Sequence, residues 1–90
     1  MTPTFSFRLY VLTQSAISKR AEKNLRAICD SHLEGDYQIE VIDLIDNIQL
    51  AEDQKIFATP TVERLRPEPV IRVIGDQSDT EAALTNLGIV

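Results

Sequence analysis

Midway along the chain a helical pattern, Gln49-Leu50-Ala51-Glu52-Asp53-Gln54-Lys55-Ile56, runs into Phe57-Ala58-Thr59-Pro60-Thr61-Val62, and the proline narrows the folds open to this sequence. A residue that precedes proline is driven out of the helical region, so the helix must end before Thr59. Thr61 and Val62 are β-branched and open a strand. A short helix therefore feeds directly into a strand through a proline-marked entry, with no room for a long loop.

The flanking segments supply the partners for that strand. Residues 5–12, Phe-Ser-Phe-Arg-Leu-Tyr-Val-Leu, alternate and carry aromatic and β-branched members, which predicts a strand with Phe7, Leu9 and Val11 on one face. Thr13, Gln14, Ser15 and Ser18 then offer capping side chains, and Ile17, Ala21, Leu25, Ile28 and Cys29 recur at helical spacing until Gly35. Residues 37–42 alternate again, and the long helix between the two strands requires them to pair in parallel. Asp46 and Asn47 can cap a short helix whose apolar side is Ile48, Ala51 and the Lys55 stem with Ile56. Residues 61–65 and 70–74 read as a hairpin joined through Arg66-Pro67-Glu68-Pro69. After Gly75, Ser78-Asp79-Thr80-Glu81 forms a capping-box sequence that opens a last helix through Ala82, Ala83, Leu84 and Leu87. The expected class is α/β, in the order β-α-β-α-β-β-α, with a mixed four-stranded sheet and three helices.

Ninety residues at 43% hydrophobic content suit one domain with one modest core. No apolar run approaches the roughly 20 residues of a membrane span, and the start lacks signal-peptide character, so a cytoplasmic location is expected. The formal charge of −5 argues against general nucleic-acid binding. Its distribution is uneven: Lys19, Arg20, Lys23 and Arg26 cluster, whereas residues 34–54 hold seven carboxylates and no Lys or Arg. A surface polarised in this way suits a protein partner, although most such charges simply solvate exposed faces.

A proline between two threonines at the mouth of a strand is where thioredoxin-like folds place a cis-proline, which assigns that role to Pro60. Redox members of that class carry reactive cysteines where strand one meets helix one, since the helix amino terminus favours the thiolate. Here that junction reads Ser15-Ala16-Ile17-Ser18, and the only thiol, Cys29, falls on the apolar stripe about three turns further on. A hydroxyl at Ser15 could assist an anion, but capping is the favoured role, and Cys29 reads as core filling. His32 has no second ligand at metal spacing, Glu52 and Asp53 diverge around a helix, and three scattered glycines make no phosphate loop. Neither catalysis, nor a cofactor, nor a metal is expected.

The block from Gln49 to Val62, with Leu9-Tyr10-Val11 before it and Val73-Ile74-Gly75-Asp76 and Ser78-Asp79 after it, closely resembles the circadian clock family KaiB over roughly residues 7 to 87. The amino-terminal sensor domain of the SasA histidine kinase is a more distant relation. The resemblance implies a non-enzymatic adaptor that docks on a KaiC-type ATPase, with Lys55 and Arg64 at basic contact positions and Arg20 as a weaker candidate. It also implies a docking edge for a KaiA-like protein on the second strand, around Gln38 and Glu40, where Glu40 replaces a usual basic residue. Ile48 in place of a proline, Glu68 in the proline-rich turn and Asn86-Leu87-Gly88 are further departures, and they suggest a divergent paralogue. The family is known to switch between a thioredoxin-like form and an alternative form that assembles into tetramers. Strand-forming Val70, Ile71, Val73 and Ile74, with Pro67 and Pro69 opposing a helix, favour the first form, as a monomer. The competing functions are a sensory module serving a histidine kinase and a thioredoxin-like redox enzyme.

Overall fold

The computed structural model describes residues 2–13 and 15–89; Gln14, offered above as a capping residue, lies outside them. Along the chain run β1 (Phe5–Val11), α1 (Ala16–His32), β2 (Tyr37–Asp43), α2 (Ile48–Asp53), β3 (Thr61–Arg66), β4 (Ile71–Ile74) and α3 (Thr80–Asn86). The sheet order is β2-β1-β3-β4, with β1 parallel to β2 and the remaining pairs antiparallel. The expected element order, the parallel first pair and the hairpin are all present. Val70 stays exposed in the β3–β4 turn, so β4 begins one residue later than the pattern suggested.

Alternation along β1 divides the interior in two. Phe7, Leu9 and Val11 point to one face, where Ala21, Leu25 and Cys29 of α1, Val62 of β3 and Leu87 after α3 close a core. Tyr10 points to the other face and packs with Ile42 and Leu44 beneath Leu50, Ala51 and Ile56. Helices α1 and α3 thus cover one side of the sheet and α2 the other. The six residues of α2 span about 9 Å at helical rise, too short to cover its whole side. Arg8 and Glu40, paired across β1 and β2, are left on the open part and meet at 3.1 Å.

The buried stripe of α1 is Ser18, Ala21, Leu25, Ile28 and Cys29. Ile17, expected in it, is exposed, because at 100° per residue those five positions centre close to Leu25 and place Ile17 beyond the rim, about 70° away. Ile48 is likewise exposed: α2 turns Leu50 and Ala51 inward, which carries Ile48 round to solvent. Asn47 is the N-cap of α2 but makes no side-chain cap, since its Nδ2 donates to the Asp43 carbonyl at 2.9 Å. In α3 the cap is Asp79 rather than Ser78, and its Oδ1 accepts from the Ala82 N–H at 3.1 Å.

Candidate functional site

Strand directions determine what gathers at each end of the sheet. Parallel β1 and β2 finish at one end, where antiparallel β3 starts and β4 finishes. Leu12 follows β1, Ile17 lies in the first turn of α1, Ile45 follows β2, Ile48 opens α2, Phe57 precedes β3 and Ile74 closes β4. These are six of the seven exposed large hydrophobic residues among those described, and the seventh, Val70, lies in the turn at the opposite end. Collected at one end, they set that end apart from the singly scattered apolar side chains of an ordinary surface. Phe57 at 90% exposure and Ile74 at 68% are the extremes.

Between those two side chains runs an open groove of about 420 Å³, lined also by Lys55, Ile56, Ala58, Thr61 and Arg72. Lys55 follows the C-cap of α2 with a positive φ of 54°, which reverses the chain and leaves its side chain exposed at the groove. Thr59–Pro60 is a cis peptide, and the Pro60 carbonyl accepts from the Gly75 N–H at 2.9 Å, joining the β3 entry to the β4 exit. The Thr61 hydroxyl donates to the Ala58 carbonyl at 2.6 Å.

Beside the groove lies a polar network that sequence reasoning missed. Glu63, only 2% exposed, sits between Arg8 and Arg72 in the strand register. Its Oε1 accepts from the Tyr10 hydroxyl at 2.9 Å and its Oε2 from Arg72 Nε at 2.7 Å. Arg72 Nη2 reaches Gln54 Oε1 at 3.4 Å, so the same guanidinium touches the C-cap of α2. Burial, and then the Glu63 carboxylate, push the Tyr10 phenol above its ordinary value against the opposing pull of Arg8. The available signal was a charged residue in a strand whose register neighbours on both sides are arginines, and that signal requires the pairing to be known.

The residues singled out in the sequence fall into separate places. Lys55 and Pro60 lie at the apolar end of the sheet. Arg20 lies on α1 and binds Asp76 at 2.8 Å, just past β4, and Asn24 holds the Asp76 carbonyl at 2.9 Å. Gln38 and Glu40 are exposed on β2, an outer strand, in the half of the sheet remote from the groove. Arg64 requires a correction: it is neither solvated nor available as a surface contact, being 7% exposed. Its register partner Phe7 faces the α1 core, so Arg64 points inward, donating through Nη1 to the Leu87 carbonyl at 2.8 Å and through Nη2 to the Pro69 carbonyl at 3.1 Å.

The redox position of the thioredoxin-like fold is closed by serines. Ser15 caps α1, its Oγ accepting from the Ser18 N–H at 3.2 Å, and the two hydroxyls lie 2.9 Å apart. Burial, and then the charge of Asp30, push the Cys29 thiol up to about 12, so it carries almost no thiolate at neutral pH. Among the described residues no cluster of three metal-ligating side chains occurs, and no helix is long and apolar enough to cross a membrane.

A thioredoxin-like sheet with a serine-capped first helix and an apolar end around a cis-proline defines a protein of the thioredoxin-like class that lacks the class's cysteine pair. The KaiB domain model matches residues 8–89, and the chain belongs to the KaiB family. It is 45% identical over 86 residues to the circadian clock oscillator protein KaiB of Synechococcus sp. (strain CC9311), covering 96% of this chain and 72% of that one. It is 43% identical to the KaiB of Trichodesmium erythraeum (strain IMS101) over 86 residues, 96% of this chain and 83% of that one. In fold it is similar to the N-terminal domain of Synechococcus elongatus SasA, with a TM-score of 0.77 at 19% identity, covering 94% and 81% of the two chains. Chloroplastic thioredoxin z gives the same TM-score at 17% identity, covering 97% and 79%.

Proposed function

We propose that this chain is a non-catalytic adaptor of the cytoplasm that binds a KaiC-type ATPase in clock-related signalling and docks through the apolar end of its sheet. The observation that carries this reading is that Leu12, Ile17, Ile45, Ile48, Phe57 and Ile74 are all exposed at the one end of the sheet where Lys55 and Pro60 also lie. Family membership supports it, because the relatives are circadian clock oscillator proteins. The serine-capped α1 and the protonated, buried Cys29 argue against thiol chemistry at the same end. Lys55 supplies a cation beside the groove, and Arg20, already paired with Asp76, stands at the edge of this surface. Gln38 and Glu40 remain candidates for a separate contact along the β2 edge with a KaiA-like protein. The chain acts as a monomer in this form, and a tetramer belongs to the alternative packing of the family.

Titrating the protein against a KaiC-type ATPase ring is expected to give a complex that Lys55→Glu weakens about tenfold or more, the scale on which a rim charge reversal acts. Phe57→Ser should weaken it similarly while leaving the unfolding midpoint unchanged, since Phe57 packs against almost nothing in the free protein. A failure to bind any KaiC-type homologue of the same organism would sink this reading. A histidine kinase is the alternative partner, and capture of such a kinase by the wild-type protein but not by Lys55→Glu would favour it.

A further inference from the structure

Arg72 has two aspects that its role as a counter-ion to Glu63 does not exhaust. Its Nε is taken by the buried carboxylate and its Nη2 makes only a long contact with Gln54, yet its side chain is 34% exposed and lines the groove beside Phe57 and Ile74. The Tyr10–Glu63 pair is rigid: both side chains are fully buried, and each Glu63 oxygen has one partner. A guanidinium anchored at one edge keeps its other edge oriented, and an oriented fork loses little freedom when it meets a second carboxylate. Lys55 is the other cation on the groove, whereas Glu52 and Asp53, the nearest carboxylates along the chain, do not line it. With Glu63 compensating Arg72, the groove joins apolar walls to one uncompensated cation, Lys55, and to the free edge of an oriented guanidinium, and a carboxylate satisfies both.

We infer that Arg72 is a specificity-determining residue of this groove, that buried Glu63 positions it, and that the partner segment it selects carries a carboxylate next to an apolar side chain that lodges between Phe57 and Ile74. This rests on the reading of the apolar end as a protein-docking surface and names the chemistry of what docks there. Lys55 supplies long-range attraction on a flexible stem, whereas Arg72 reads position. A partner with a basic residue at that point would set like charges together in a partly desolvated groove and be rejected.

The test separates this inference from the adaptor reading by using two probes. The isotope-labelled full chain is titrated with two peptides of equal length, one with leucine flanked by aspartates and one with leucine flanked by lysines. The aspartate peptide is expected to shift the backbone amides of residues 55–58 and 71–75, and the lysine peptide to leave them unmoved. The Glu63→Gln/Arg72→Gln double variant has the same net charge as the parent, so a loss of affinity in it reports the local cation and not the overall field. Its affinity for the aspartate peptide should fall about tenfold, with a shallower salt dependence. Glu63→Gln alone leaves the cation uncompensated but unpositioned, so its salt dependence should steepen while its affinity at high salt falls. Circular dichroism and the unfolding midpoint establish that each variant is folded. Equal response to both peptides, no response to either, or unchanged binding by the folded double variant would overturn the inference. The ATPase-ring titration can fail independently, and that failure would count against the named partner alone.

Discussion

Arg64 is a buried cation without a carboxylate. Its Nη1 and Nη2 donate to the Leu87 and Pro69 carbonyls, while its Nε is buried without a partner among the described residues. The arginine ties the end of α3 to the β3–β4 turn by chemistry that neutral donors could supply in part. Arg64→Ala should destabilise the protein by about 2–4 kcal/mol in denaturant unfolding, because it removes two hydrogen bonds, orphans two carbonyls and leaves a void. Gly88 sits against the same group: a Cβ there would meet Arg64 Nη1 at 2.3 Å, and its φ of +68° already disfavours any side chain. Gly88→Ala should therefore cost about 1–2 kcal/mol, and less on an Arg64→Ala background where the clash is gone. At Cys29 the expectation is kinetic. With its pKa near 12, it should react with an aromatic disulfide reagent at pH 8 only as fast as the chain unfolds.

Among the elements, the link between α1 and the segment leaving β4 depends on pH. The Arg20 guanidinium, and then the Ser78 hydroxyl and N–H, hold the Asp76 carboxyl below the usual carboxylate range. A carboxyl depressed in the folded state adds stability above its unfolded value, about 4, and that stability is lost as pH falls through the lower folded value. Asp76→Asn should flatten the acid limb of the stability profile and have little effect at high salt, as expected for an exposed pair. Tyr10 acts in the opposite direction. Its raised phenol stays protonated in the folded state beyond the ordinary tyrosine value, whereas the unfolded chain ionises from about pH 10, so stability should fall as pH rises past that value. Tyr10→Phe should remove that alkaline limb and cost about 1–3 kcal/mol near neutrality by leaving Glu63 Oε1 without its donor.

Over the whole molecule, the architecture was legible because alternation and helical spacing survive in single elements. Phe7, Leu9 and Val11 declared their face, and Ala21, Leu25 and Cys29 declared theirs. Pro60 located the entry to β3. What local patterns could not show was the rotation of each helix against the sheet, which sent Ile17 and Ile48 to solvent, or the strand register, which surrounded Glu63 with two arginines and turned Arg64 inward. The apolar end was invisible for the same reason: its six members are spread from residue 12 to residue 74, and only the strand directions bring them together. Backbone chemical shifts should place residues 71–74 in extended structure; helical shifts there would show that the alternative packing prevails in solution.

That gathering leaves the other end of the sheet unclaimed. The loop from Leu33 to Asp36 and the turn from Arg66 to Val70 both lie there, on the far side of the molecule from Phe57. A dye, spin label or surface tether attached at exposed Glu34 or Glu68 would hold the protein by its back, with the groove facing outward. A single-site immobilised protein of that kind would present every molecule in the same orientation to whatever binds it.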